Sequence, residues 1–320
     1  MSILHLQSVD ISPRERGPRV IEALHRFTIR EVTDSGPLFE MAYQALWDEF
    51  GARGELEVPE VLLRELTGRD NPHFSYHLLT FWEGDQLAAV RDLFVVLVPD
   101  VGGYVLLSHS LVIPRFRRSG VGALIRGAPV SIGRRQLQRA GISGDLLLMA
   151  EMDPLDPNTD ATMIRLLAYG NAGFRVIPPQ ILPYVQPDFS GWVSAGREPA
   201  PIPLMLVVRW VDHEEETALP APIIRLLTDG IDEVHHLDYP EDTKVRRANM
   251  APFLEHRAVF PTLEIRRDQL QLLSPILRTN AMPLFSRRLG GTEGQPIGDS
   301  AVQLQGLIEK WGISPEEYVP

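Results

Sequence analysis

LVIPRFRRSGVGALI, Leu111 to Ile125, joins a strand-like apolar run to a helix-like one through Pro114, the pair Arg117 and Arg118, and two close glycines, Gly120 and Gly122. Glycines between a strand and a helix let main-chain N–H groups converge with no Cβ in the way, at the positive end of the helix dipole. The product is an anion site, most often for phosphate. The two arginines add charge at its rim. The dinucleotide fingerprint G-x-G-x-x-G fails because Ile125 stands where a third glycine is required, and the phosphate loop G-x-x-x-x-G-K-[ST] has no lysine nearby to complete it.

Working outward, the pattern predicts a helix from Gly120 to Ala140, closed by Gly141, with Pro129 expected to kink or split it. Upstream, Tyr104 to Ile113 reads as a strand. HFSYHLLTFW and LAAVRDLFVVLV around EGDQ read as a hairpin, and Phe27 to Val32 as a further strand followed by two helices. Downstream, Asp145 to Met152 is the continuous apolar type of strand found inside a parallel or mixed sheet. A short helix, ATMIRLLAYGN, then leads to the strands GFRVIP and LMLVVRWV. The order β-α-α-β-β-β-α-β-α-β-β defines an α/β (α+β) domain over 27–212 with antiparallel strands first and a parallel crossover around the long helix. Residues 1–26 read as a loose lead-in. From 213 to 320 the character changes, and the helical patterns there predict a small, mainly helical domain or a lid.

Two motifs in this order resemble the GNAT superfamily of acyl-CoA-dependent N-acyltransferases. Val112, Pro114, Arg117, Gly120 and Gly122 fill every fixed position of that family's coenzyme A segment, V-x-P-x-x-R-x-x-G-x-G. After the next strand, YGNAGF supplies the family's Y-x-x-x-G-F as Tyr169, Gly173 and Phe174. The resemblance covers 27–212. It implies a central splayed β-sheet flanked by helices, with the pantetheine arm of acetyl-CoA lying along the main chain of Leu111, Val112 and Ile113. It also implies that the turn Arg117, Arg118, Ser119, Gly120, Val121 and Gly122 holds the pyrophosphate. Tyr169 is then placed to protonate the departing thiolate, a credible task for a phenol with an ordinary pKa of about 10. Where the family often begins the short helix with Asn, seven residues before the tyrosine, this chain has Thr162.

The implied reaction is direct transfer: a deprotonated amine attacks the thioester carbonyl and the thiolate leaves. A base must take the amine's proton. The candidates are Glu151, at the end of the buried strand, His109, in the strand before it, and ordered water, with Ser108 and Ser110 able to relay the proton. With a period of two, Ser108, Ser110 and Val112 share one face of that strand and His109 takes the other. The expected function is an N-acetyltransferase acting on a primary amine. A non-catalytic acyl-CoA sensor or interaction module on the same fold is the alternative.

Composition narrows the classes further. The chain has 320 residues, 44% hydrophobic and 23% charged, with a formal net charge of -11. An acidic sum with no clustered basic and aromatic residues argues against nucleic acid as a partner and favours a cationic amine as acceptor, with the acidic loop around Asp153, Asp156 and Asp160 in reach. Trp47, Trp82 and Trp192 read as core or groove walls. No cysteine is present, so disulfides, thiolate metal sites and cysteine nucleophiles are excluded. His235 and His236 beside Asp238 are adjacent residues that rarely point at one ion, and no metal is expected. With no signal-peptide core and no stretch of about 18 apolar residues, a cytoplasmic protein without membrane contact is expected. The tail is long enough to cover the acceptor site, to join two copies as a homodimer, or to do both.

Overall fold

The computed structural model describes residues 2–51, 55–68, 71–153, 161–178, 181–182, 184–186, 202–236 and 259–265. The parallel step that the sequence predicts is present. Strand β5, Gly102–Val112, runs into helix α4, Val121–Ala140, which returns the chain to strand β6, Asp145–Met152, parallel to β5. Before it come β1 (Ser2–Leu4), α1 (Pro18–Arg26), β2 (Thr28–Val32), α2 (Pro37–Phe50) and α3 (Pro59–Thr67). The hairpin follows as β3 (Phe74–Glu83) and β4 (Gln86–Val98). After β6 come α5 (Ala161–Asn171), β7 (Arg175–Ile177), the short strands β8 (Val185–Gln186) and β9 (Ile202–Pro203), and β10 (Met205–Trp210). The chain continues through β11 (Ala218–Pro220), α6 (Ala221–His236), β12 (Val259–Pro261) and β13 (Leu263–Glu264).

Nine strands form one mixed sheet in the order β1-β2-β3-β4-β5-β6-β10-β7-β13. Every neighbouring pair is antiparallel except β5–β6. The sheet is covered on both faces, which is why the first half of β5 and, apart from Arg91 and Asp92, most of β4 read as apolar runs rather than alternating ones. One face packs α1, α4 and α5 through Ala23, Val121, Leu124, Leu166 and Tyr169. The other packs α2, α3 and α6 through Phe39, Leu46, Leu62, Ile223 and Leu227. Helices α1, α2 and α3 each begin with proline at the first turn, where the missing N–H costs nothing.

The structure departs from the sequence reading in three places. Residues 2–26 form β1, which pairs with β2, and α1, which lies against α4. Pro129 does not split α4, which runs as one helix with Pro129 buried inside it. The sheet also does not end at residue 212: α6 packs on β4, β5 and β6, and β13 pairs with β7. The helices expected at RDQLQLLSPILR and AVQLQGLIEKWG lie outside the described residues, as do Asp156, Asp160, Trp192 and Asp238.

Gly230 shows how closely α6 approaches the sheet. A Cβ there would stand 2.2 Å from Cγ of Tyr104 on β5. We therefore expect Gly230→Val to lower stability by about 1–3 kcal/mol through overpacking. A fall in the denaturant midpoint at unchanged slope would register it, whereas an α6 that merely rests on the sheet would leave the midpoint where it is.

Candidate active site

The parallel ladder between β5 and β6 is incomplete. It runs from Gly102 opposite Asp145 to Leu107 opposite Ala150 and stops, although β5 continues to Val112 and β6 to Met152. The outer ladders stay closed past that point, with β5 still on β4 at Val112 opposite Ala89 and β6 still on β10 at Met152 opposite Met205. A gap therefore opens in the middle of the sheet. Residues 102–107 of β5 are buried and residues 108–112 are only half-buried.

The gap begins at a β-bulge. Ser110 faces Arg91 and Leu107 faces Leu93, so Ser108 and His109 together stand opposite the single residue Asp92. Asp92 holds the bulge. Its Oδ1 accepts the main-chain N–H of His109 at 2.5 Å, and its Oδ2 lies 3.0 Å from His109 Nδ1 and accepts from Tyr76 OH at 3.2 Å. His109 Nε2 lies 2.7 Å from the Glu55 carbonyl oxygen. A carboxylate at one ring nitrogen and a carbonyl at the other require both nitrogens to donate, so the ring is an imidazolium. Burial alone would lower its pKa, but the Asp92 carboxylate outweighs burial and lifts it to about 9. The Phe50 ring of α2 packs on the same imidazole.

At the wide end of the gap the chain turns into α4. Arg118 and Gly120 both take left-handed backbone, with φ 65 and 94. Gly120 is required there for a second reason: a Cβ would stand 2.8 Å from both the Arg19 carbonyl oxygen and Ala23 Cβ, because α1 roofs the turn. Gly122, in the first turn of α4, has only the Arg126 guanidinium beside it. Arg126 pairs with Glu15. Arg117 and Arg118 are exposed, and among the described residues neither forms an ion pair. The positive helix end and the two exposed guanidinium groups suit an anion here, although the N–H groups of Arg117, Ser119, Val121 and Ala123 already donate to Pro114 O, Phe116 O, Ser119 Oγ and Gly120 O.

Tyr169 of α5 reaches the narrow part of the gap on the α4 and α5 face. Its hydroxyl accepts from Arg91 Nη1 at 3.1 Å and hydrogen-bonds Ser110. Burial pushes its pKa up, but Arg91, Ser110 and the nearby charge of Arg126 outweigh burial and leave it below the ordinary phenol value. Arg91 lies on β4 and is fully buried. Glu151, near the end of β6, turns to the opposite face, where Tyr184 OH donates to its Oε1. His235 Nε2, from the last turn of α6, is 3.8 Å from Glu151 Oε1 and 3.4 Å from Tyr184 OH.

The residues chosen from the sequence thus fall around one gap. Leu111 and Val112 border it, and Ile113 leads from it towards the turn formed by Arg117 to Gly122. Tyr169 and Glu151 lie on opposite faces, and His109 lies in the bulge on the α2 face. Sequence reading missed Arg91, Asp92, Tyr184 and the link from His235 to Glu151. Arg91 and Asp92 carried a signal: an adjacent pair of opposite charges in the apolar run LAAVRDLFVVLV, where a charge is costly without a task. Among the described residues no three His, Asp or Glu side chains are arranged to hold a metal ion, and no helix is long and apolar enough to cross a membrane.

No protein-family model and no curated protein sequence matches the chain. Solved structures of acetyltransferases, several of the GNAT family, are similar to about half of it. Ard1 from Thermoplasma volcanium is similar over 58% of this chain and 98% of its own, at 18% identity and a TM-score of 0.36. A GNAT family acetyltransferase from Elizabethkingia anophelis, solved with acetyl-CoA bound, is similar over 58% of this chain and 98% of its own, at 14% identity and a TM-score of 0.33. An aminoglycoside acetyltransferase from an uncultured soil metagenomic sample is similar over 44% and 85%, at 10% identity and a TM-score of 0.30. The chain's own sheet is a mixed α/β sheet in which, among the described residues, the one parallel pair, β5–β6, opens beside a strand-to-helix glycine turn.

The raised pKa of His109 sets a pH dependence of stability. Its folded value of about 9 lies above the usual 6.5. The ring's contribution is therefore complete below pH 6.5 and is lost as pH rises through 9, a total of roughly 3 kcal/mol at about 1.4 kcal/mol per pKa unit. Unfolding free energies compared between the wild type and His109→Gln should converge from pH 6 to pH 10. A constant difference across that range would mean that the ring is neutral in the folded protein.

Proposed function

We propose that the chain is an N-acyltransferase that moves an acyl group, acetyl in the simplest case, from a coenzyme A thioester to a primary amine. The observation that carries this reading is the open β5–β6 pair. A strand edge at 108–112 without a strand partner can hydrogen-bond an extended amide-containing arm as it would a neighbouring strand. The pyrophosphate end of such a ligand would then meet the α4 turn, and its thioester end would lie by Ser110 and Tyr169.

The two faces of the gap divide the chemistry. The amine approaches from the α2 and α6 face and gives its proton to Glu151, whose carboxylate Tyr184 orients. Its nitrogen forms the new bond to the carbonyl carbon, and the carbon–sulfur bond breaks. Tyr169, on the far face, gives its proton to the departing sulfur. Arg91 and Ser110 hold the phenol in place and stabilise the phenolate that results. His109, with both nitrogens donating, serves as the cation that fixes the bulge with Asp92.

Free thiol released from acetyl-CoA in the presence of a panel of primary amines tests the reading. Tyr169→Phe and Glu151→Gln should each lower turnover by about 10²–10⁴-fold, the usual contribution of a positioned acid or base. Gly120→Val should abolish the heat of coenzyme A binding. Tight coenzyme A binding with no thiol release from any amine would turn the assignment towards a sensor, and no binding at all would end it.

A further inference from the structure

Arg91 carries more hydrogen-bonding capacity than the proposed reaction uses. Its side chain is fully buried, and one group, Nη1, donates to Tyr169 OH at 3.1 Å. Nε and Nη2 are buried and find no hydrogen-bond partner among the described residues. These two nitrogens form a single edge of the planar guanidinium, with parallel N–H bonds spaced to meet the two oxygens of a carboxylate. No carboxylate of the described residues pairs with Arg91; its neighbour Asp92 turns to the other face, to His109 and Tyr76. A buried, unpaired guanidinium edge is costly, and an anionic group brought by a ligand would relieve that cost.

The position of that edge indicates which ligand. Arg91 stands opposite Ser110 on β5, next to Tyr169 and three residues past the last β5–β6 pair at Leu107. On the proposed function, the diphosphate lies beyond Val112 at the α4 turn, the extended arm lies along 111–113, and the thioester, itself uncharged, comes to Ser110 and Arg91. The part of the donor that reaches Arg91 is the acyl group. We infer that the acyl group carries its own carboxylate, so that the preferred donor is a dicarboxylic acyl thioester of the malonyl, succinyl or glutaryl type. The fork selects it because two parallel N–H groups match a two-oxygen anion better than a single oxygen or a methyl group. A docked carboxylate would also offset the charge of Arg91 beside Tyr169, letting the phenol keep the proton that it delivers to sulfur.

This inference rests on the proposed acyl-CoA reading, and its test separates the two. Calorimetric titrations of the full chain with free coenzyme A, acetyl-CoA and succinyl-CoA give the affinities. Succinyl-CoA should bind about tenfold or more tighter than acetyl-CoA, as expected for a charge-assisted bidentate contact. The ratio of the two affinities should fall to near one in Arg91→Gln and recover only in part in Arg91→Lys, which keeps the charge but loses the fork. The wild-type ratio needs no variant, so misfolding of either substitution leaves the test intact. Equal wild-type affinities for the two thioesters overturn the inference and leave the acyltransferase reading standing. A preference for succinyl-CoA that persists unchanged in a folded Arg91→Gln assigns the carboxylate to another group and also overturns it. No heat with any of the three ligands overturns the acyl-CoA reading and this inference with it.

Discussion

The opening in the sheet depends on one side chain taking over the work of a ladder hydrogen bond. Asp92 accepts the main-chain N–H of His109 and clasps the imidazolium of the same residue, so two residues of β5 are held opposite one of β4. An extra residue in a strand bends it and raises its twist. Once β5 bends at Ser108, it no longer follows β6, which remains bound to β10. The charged pair lies under Phe50, with Tyr76 OH and the Glu55 carbonyl completing its hydrogen bonds. Fully satisfied, a buried polar network of this kind holds a single backbone geometry. Without it, β5 and β6 would be free to extend their pairing and close the gap.

On the proposed function, that bend turns a structural sheet into a passage between two differently equipped faces. The α4 and α5 face has the cationic side: Arg91, Arg126 and the turn with Arg117 and Arg118, all close to where phosphate and a departing thiolate would lie. The α2 and α6 face presents Glu151, Tyr184 and His235. A thioester held in the opening meets a proton donor on one side and a proton acceptor on the other, which is the separation that direct transfer needs. The clamp on His109 also explains why a histidine so near the opening is better suited to structure than to proton exchange: a ring that is already charged, with both N–H groups donated, has no lone pair to offer.

Local signals made the middle of the fold legible. The hairpin turned at Gly84 and Asp85, the continuous apolar run of β6, and the glycine turn before α4 each rest on neighbours within a few residues. Pro129 misled because helix-breaking rules describe an isolated helix, and α4 is buried along much of its length by packing that outweighs one lost hydrogen bond. Helix α1, PRVIEALHR, has only nine residues, too few to be stable alone in water, and it is held against α4. The site was legible in part for the same reason. The glycine turn and the tyrosine motif are local, but Arg91 meets Tyr169 across 78 residues and Tyr184 meets Glu151 across 33. No local pattern announces such partners.

The roof that α1 forms over Gly120 ties the first residues of the chain to the middle of it. Main-chain atoms of Arg19 and the methyl of Ala23 fill the volume that any side chain at 120 would need, and Glu15 neutralises Arg126 from the same segment. A protein trimmed to start at residue 27 would therefore lose more than a leader-like extension. It would uncover an apolar patch around Val121 and Leu124, release an arginine beside the glycine turn, and remove the edge strand that finishes the sheet. Such a fragment would be expected to aggregate, and the turn would carry an altered charge.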